Sequence, residues 1–148
     1  PTTRPGEPSH TIQDDFLGVS KPQFLSSEED AGEYYSAVLD RLWQTGAAGA
    51  MAWIYADYAE GLWSEPPLKD AKRERTFGLF RADRSPKPPA EVIQRFAREI
   101  AAGELVQRLG PHGSQSVALE IDPNSYYVNP SDALGSAFEQ YLGKLNAK

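Results

Sequence analysis

The sequence predicts an α/β fold, on three observations. Thr45 to Tyr58, TGAAGAMAWIYADY, runs from a small-residue turn into a short apolar stretch ending in Trp53, Tyr55, Asp57 and Tyr58. Such a run between turn signals, Gly49 to Tyr55, reads as a strand buried on both faces, the kind found in parallel sheets. An amphipathic helix directly precedes it, so helix, short turn and buried strand form half of a βαβ unit. Thr11 to Gly18 offers the strand before that helix. Aromatics and a carboxylate at the C-terminal end of a buried strand mark the place where α/β folds put their sites.

The elements follow in order. Pro1 to Ser9, PTTRPGEPS, holds three prolines and a glycine and is expected as an exposed linker or loop. His10 to Ser20, HTIQDDFLGVS, reads as a short strand leading into a loop at Gly18, with Asp14 and Asp15 at its centre. Lys21 to Leu25 is a connector. Ser26 or Ser27 opens a capping box ahead of Glu28, Glu29 and Asp30. Ala31, Tyr34, Tyr35, Val38, Leu39 and Leu42 then form the stripe of an amphipathic helix, with Tyr34 and Tyr35 in the core. Gly46 is placed to end that helix in a left-handed cap.

After the apolar strand comes a long connection, Ala56 to Arg75, with Trp63, Pro66, Pro67 and a charged run from Lys69 to Arg75. Loops of this length in compact domains are usually lids or binding loops. Thr76 to Arg81 is a short extended piece and Ala82 to Pro89 is turn chemistry. Pro88 and Pro89 suit the first positions of a helix, whose buried face is Ile93, Phe96, Ala97 and Ile100 and whose end is Gly103. Glu104 to Ser114 is a loop or a ragged helical extension. Ser116 to Ile121 alternates, with Val117, Leu119 and Ile121 on one face, and reads as a half-buried strand. Asp122-Pro123-Asn124 turns the chain. Asn129-Pro130 caps a last helix with the stripe Leu134, Ala137, Phe138, Tyr141, Leu142 and Leu145.

Composition narrows the function classes. The 148 residues carry 15 basic and 21 acidic side chains, a net charge of −6 with no basic stripe. That argues against nucleic acid or an anionic membrane as partner. No apolar run is long enough to span a bilayer. With no cysteine there is no disulfide or thiol chemistry, and the compartment stays open. His10 and His112 lie far apart, so a histidine-based metal site is not expected. The chain starts at Pro1 and its only methionine is Met51, so the reading expects that a natural start has been removed. Prolines and aromatics suit a loop-rich, carbohydrate-handling protein.

Three stretches resemble the C-terminal part of a clan A, family 5-like glycoside hydrolase of the cellulase or mannanase type. EEDAGEYYSAVLDRLWQTGAAGAMAWIYADY looks like the seventh helix and eighth strand of those (β/α)8 TIM barrels. RERTFGLFRADRSPKPPAEVIQRFA looks like the family's ERxFGLxRADGSxKPAA run entering the last helix. IDPNSYYVNPSDALGSAFEQYL is similar to a C-terminal tail that often follows the barrel. The resemblance implies the last strands and helices of a (β/α)8 barrel over residues 11–102, after a linker or cut loop over 1–10. A strand–helix extension packing on the barrel follows over 103–148. The chain is far short of a whole barrel.

In that family the nucleophile is a glutamate at the end of the seventh strand, in an EFG setting. Here the corresponding residue is Asp15, followed by Phe16, with an extra Leu17 before Gly18. Aspartate is one methylene shorter, and retaining chemistry needs its two carboxyls about 5–5.5 Å apart. Arg84 stands where the family run has glycine. The acid/base glutamate belongs to the fourth strand and has no counterpart in this chain. The implied reaction is therefore retaining cleavage of a β-glycosidic bond, performed only with a complementary N-terminal barrel segment. No cofactor or metal is implied, since two carboxylates do the chemistry.

Trp53 reads either as core or as a flat face against which a sugar ring stacks, and its place at a strand end favours stacking. Asp57 is expected to hydrogen-bond sugar hydroxyls rather than only cap a turn. Tyr55 joins them as a binding residue, and Trp63 is a subsite wall or a lid anchor. Asp15 is either a turn carboxylate or the nucleophile. Tyr126 and Tyr127 pack the tail on the barrel. Lys69 to Arg75 is a solvated loop that Glu74 and Arg75 pin. The expected partners are an oligo- or polysaccharide and a complementary barrel chain or oligomer, because an isolated piece of barrel exposes sheet faces and edges. The competing readings are a non-catalytic carbohydrate-binding or scaffold remnant and a purely structural partner domain.

Overall fold

A computed structural model describes residues 1–16 and 18–146. Leu17, the residue inserted before the glycine, lies outside the described residues, as do the side chains of Phe16, Leu145 and Asn146. The elements are β1 (His10–Phe16), β2 (Val19–Leu25), α1 (Glu28–Thr45), α2 (Pro88–Ala102), α3 (Glu104–Leu109), α4 (Pro123–Val128) and α5 (Pro130–Asn146). Two 3₁₀ turns, Glu60–Leu62 and Lys72–Thr76, lie in the long loop between α1 and α2.

β1 and β2 form an antiparallel hairpin, from His10 opposite Leu25 to Phe16 opposite Val19. Lys21 to Leu25, expected as a connector, is thus most of β2. Gly18 at φ 74° lets the chain reverse, and closing so short a loop costs less entropy than recruiting a distant strand. Among the described residues, parallel pairing is confined to the bridges Thr2–Ser26 and Ala56–Phe80.

Residues 1–9 are not uniformly an exposed linker. Positions 4–8 are exposed, but Thr2 and Thr3 are buried. Thr3 N–H donates to Ser26 O at 2.8 Å, Ser26 N–H to Pro1 O at 3.2 Å and Thr2 N–H to Thr76 O at 3.0 Å. The extended backbone of residues 1–3 gains partners on two sides, as buried amides require.

α1 begins as its sequence demands. Ser27 is the cap, its hydroxyl accepting from Asp30 N–H at 3.0 Å. Ser9 completes a relayed box: its hydroxyl accepts from Ser27 N–H at 2.7 Å and donates to the Asp30 carboxylate. Gly46, at φ 84°, ends the helix with its N–H on Leu42 O and Trp43 O. The loop after α3 adds Gly113 N–H on Trp43 O at 2.9 Å and Gln115 N–H on Gln44 O at 2.7 Å. α2 has prolines at its first positions and ends at Gly103, φ 71°. The two helices pack so closely that a Cβ on Gly32 would lie 2.9 Å from Pro88 Cβ. Arg108 of α3 clamps both, forking onto Asp40 of α1 at 2.6 and 2.8 Å and reaching Glu99 of α2 at 2.8 Å.

Gly49 to Tyr55 is not a strand buried on both faces. Met51 is exposed, Trp53 is 72% exposed and Tyr55 64%. Among the described residues, 54–57 pair with 77–80 on one edge only: Ile54 N–H to Phe77 O, Leu79 N–H to Ile54 O, Phe80 N–H to Tyr55 O and Asp57 N–H to Phe80 O, at 2.9–3.3 Å. A doubly buried strand needs layers on both faces and neighbours on both edges, and here one edge alone is served. Tyr34, expected in the core, is 67% exposed for the same reason, while Tyr35 is half-buried.

Ser116 to Ile121, expected as a strand, forms none among the described residues. Val117 and Leu119 are half-buried and alternate with exposed neighbours, as expected, whereas Ile121 is exposed. The segment lies along α5, whose Lys144 and Gln140 donate to Ala118 O at 2.5 Å and Glu120 O at 3.4 Å. Asp122 caps α4 through Asn124 N–H at 2.9 Å. On α5, Ala137 is buried while Leu134, Phe138 and Leu142 are exposed; Tyr126 and Tyr127 of α4 are exposed too.

The buried interior is as polar as it is apolar. Leu25, Ala31, Leu68, Ala71, Leu105 and Ala137 share it with Thr2, Thr3, Asp14, Ser27, Glu28 and Lys87. Several large apolar side chains, Tyr34, Met51, Trp53 and Tyr55 among them, are exposed.

Candidate functional site

The region after residue 53 is organised by a buried ion pair. Lys87 Nζ lies 2.7 Å from the Asp57 carboxylate, with side-chain exposures of 1% and 9%. Lys87 also donates to Thr2 Oγ1 at 2.9 Å and Thr76 O at 3.3 Å, and Asp57 Oδ1 accepts Gly78 N–H at 2.7 Å. Burial pushes the Asp57 carboxyl up and the Lys87 ammonium down, each partly offset by its partner. Asp57, expected to bind sugar hydroxyls, therefore has its oxygens engaged by Lys87 and Gly78. It braces residues 54–57 against 77–80 instead. Close by, buried Glu28 pairs with Arg81 through Nε at 3.0 Å and through Nη2, and this hydrogen bonding raises the guanidinium's pKa.

Trp53 borders an open groove of about 510 Å³ with Phe24, Tyr34, Tyr35, Phe77 and Leu79. Its lining is mostly apolar and its rim is aromatic, so it presents flat faces and few hydrogen-bonding groups. Tyr55 lies outside this groove and packs on Phe80, ring centroids 4.9 Å apart.

Trp63 stands apart from Trp53, in a cleft of about 370 Å³ that Asp57, Glu28, Glu60, Arg81 and Asp83 also line. Its indole N–H donates to Tyr58 O at 3.0 Å, and the Arg4 and Arg75 guanidiniums lie 5.6 and 5.2 Å from its ring centroid. Arg75 donates to Leu68 O, Lys69 O and Trp63 O at 2.8–3.2 Å. The long loop is thus folded around Arg75, with Leu68 and Ala71 buried inside it, so the pinning expected of Arg75 is found. Trp63 anchors this loop and still has a face toward the cleft.

Asp15 is exposed on β1, its backbone N–H on Asp70 O at 3.1 Å. It lines neither the groove nor the cleft. Its neighbour Asp14 is the buried carboxylate: Oδ2 receives Arg73 Nη1 at 2.8 Å and Oδ1 receives Arg73 N–H at 3.3 Å. Alternation along β1 decides this, since adjacent side chains face opposite ways. Asp14 ties the hairpin to the loop, and Asp15 is left uncovered.

The expected binding residues are therefore divided. Trp53 belongs to the groove, Asp57 and Trp63 to the cleft, and Asp15 to the outer face of the hairpin. Lys87, Gly78, Glu28 and Arg81 organise this region without having been singled out by the sequence. Lys87, set between Pro86 and Pro88, was the available signal, because a proline-locked lysine has a fixed backbone from which to reach inward. Among the described residues no group of three or more His, Asp or Glu side chains is placed to hold a metal ion, and no helix is long and apolar enough to cross a membrane. No protein-family model, curated protein or solved structure matches this chain.

Proposed function

We propose that the chain is the C-terminal segment of a glycoside hydrolase that cleaves β-glycosidic bonds by a retaining two-carboxylate mechanism, active only together with the N-terminal segment of its (β/α)8 barrel. The observation that supports it is the exposed aromatic run at Trp53 and Tyr55. Trp53 and Tyr55 stand out from a segment hydrogen-bonded along one edge only. A complementary barrel segment would occupy the free edge and leave the Trp53 face beside a sugar.

In this reading the Asp15 carboxylate attacks the anomeric carbon while the acid/base carboxyl of the other segment protonates the departing oxygen. Water then hydrolyses the glycosyl-enzyme, giving its proton to that second carboxylate. Exposure keeps Asp15 accessible. The non-catalytic reading, sugar binding through the aromatic residues alone, is favoured by one observation: no hydrogen bond among the described residues orients the Asp15 side chain.

The test combines native mass spectrometry of the purified sample with reducing-sugar release from β-linked glucan and mannan. The chain is expected in a complex or oligomer, with activity that Asp15→Ala abolishes and Trp53→Ala weakens. A well-folded monomer in sedimentation would overturn the barrel-segment reading. Activity that survives Asp15→Ala would remove Asp15 from the mechanism.

A further inference from the structure

The faces of α5 differ in what they meet. Ala137, Gln140 and Lys144 lie toward the chain itself: Ala137 is buried, while Gln140 and Lys144 donate to Glu120 O and Ala118 O of the segment running along the helix. Leu134, Phe138 and Leu142 form the next row, about one residue per turn, and all three are exposed, Phe138 at 59%. Asp132 and Glu139, two turns apart and also exposed, flank that row on the side away from the chain. A row of apolar side chains four residues apart is the ridge that one helix offers to the groove of another. From Leu134 to Leu142 it spans about 12 Å, enough to seat two turns of a partner.

The charge around the row decides what can cover it. Residues 116–146 carry Glu120, Asp122, Asp132 and Glu139 against a single base, Lys144. Asp122 accepts from Asn124 N–H and Asp132 from the Asn129 side-chain amide. Among the described residues none of the four carboxylates is in an ion pair, and Lys144 is turned to Ala118 O on the opposite side of the helix. A second copy of the chain suits this seat poorly. A two-fold pairing of α5 with itself centres on Phe138, midway between Leu134 and Leu142, and sets Glu139 beside its own mate, and like charges so placed oppose association. An anionic membrane surface is repelled by the same acids.

We propose that the row Leu134, Phe138 and Leu142 is the docking surface for a basic amphipathic helix of another protein. Its apolar side chains straddle Phe138, and its lysines or arginines reach Asp132 and Glu139. An amphipathic helix laid on an apolar surface, with its charges at the margin, is a recurrent mode of recognition.

The experiment is a fluorescence-anisotropy titration of three labelled peptides with the chain in its native assembly. They are a leucine–lysine amphipathic helix, a peptide of the same composition scrambled so that no apolar face forms, and a leucine–glutamate helix of the same pattern. The leucine–lysine helix is expected to bind about tenfold more tightly than either control. Phe138→Ser should weaken it to the level of the scrambled peptide. Glu139→Lys should lower its affinity and raise that of the leucine–glutamate helix. Both positions are exposed, and circular dichroism checks that each variant keeps its fold. If Phe138→Ser does not, the exchange of preference in Glu139→Lys decides alone, and its absence overturns the proposal. Equal binding of the scrambled peptide, or an affinity indifferent to Phe138→Ser, overturns it as well, since an acidic chain then merely attracts basic peptides. So does self-association in sedimentation that Phe138→Ser abolishes, which gives the row to a second copy. Binding of phosphatidylcholine vesicles that is lost in the same variant overturns it too, since the row then meets lipid.

Discussion

Lys87 Nζ and the Asp57 carboxylate meet at 2.7 Å in a site that water barely reaches, and four segments converge on that contact. Through Thr2, Thr76 and Gly78 it joins the first residues, the end of the long loop and the start of α2 to the strand end. For both groups burial dominates the pKa shift, so desolvation outweighs attraction. The pair fixes where these segments meet.

Removing one partner should therefore hurt, and replacing both should not. Lys87→Met alone is expected to cost about 3–5 kcal/mol, because it strands a buried carboxylate. Asp57→Asn with Lys87→Met keeps an acceptor for Gly78 N–H and should recover most of that loss. Chemical denaturation of the three proteins measures it; a double variant no better than the single one would refute the account.

The same pair sets a pH dependence. The folded pKa of Lys87 lies below its ordinary 10.5, so between the two values the unfolded chain binds a proton that the folded chain has lost. Stability contributed by this group rises with pH across that window. Asp57 has a folded pKa above 3.8, so its contribution falls as pH rises from 3.8 through the raised value. Thermal melts across both windows should show these slopes in the wild type and lack them in the double variant.

Gly78 is required by the approach of two backbones. A Cβ there would lie 2.2 Å from Asp57 N and 2.3 Å from Ala56 C. Gly78→Ala should cost about 3 kcal/mol or more, since backbone on both sides resists movement. A melting temperature within a degree of wild type would contradict this packing.

Arg84 holds φ at 71° between Arg81 and Ser85, where Arg84 N–H meets Arg81 O at 2.8 Å. A left-handed arginine costs about 1–2 kcal/mol relative to an allowed conformation. Arg84→Gly, the residue of the resembled run, should stabilise by about 1 kcal/mol, read as a rise in the denaturation midpoint. Unchanged or lower stability would mean that the turn tolerates the side chain at no cost.

Met51 and Trp53 test the exposed strand end. Met51→Ser with Trp53→Ser removes apolar surface that the chain itself does not cover. Self-association or partner binding should fall in sedimentation while the melting temperature stays within a few degrees, as surface changes allow. A large loss of stability would show that these side chains are already packed.

Helix termini were the most legible part of the sequence. Ser27, Gly46, Pro88 and Gly103 act where their residue types placed them, because caps are decided by a few adjacent residues. Arg75 as the pin of its loop was legible from the resembled run. The hairpin was half legible: β1 was expected and β2 was not, since Pro22 and an exposed pattern disguised it. Trp53 was expected at the end of a buried strand and lies exposed outside the two strands, and Asp57 was expected to face ligand and instead faces Lys87, 30 positions along the chain.

By itself the sequence determined where α1 and α2 start and stop, that side chains alternate along β1, and that aromatic residues cluster from Trp53 to Tyr58. Those are local properties, set by torsional preference and nearest-neighbour hydrogen bonds. Only the tertiary structure decided that Asp14 rather than Asp15 is buried, that Thr2 lies in the interior and that Lys87 claims Asp57. Each depends on which distant segment arrives to satisfy a buried charge or amide. Periodicity carries no record of that choice, because the free energy of a buried polar group is set by its partner and not by its neighbours in the chain.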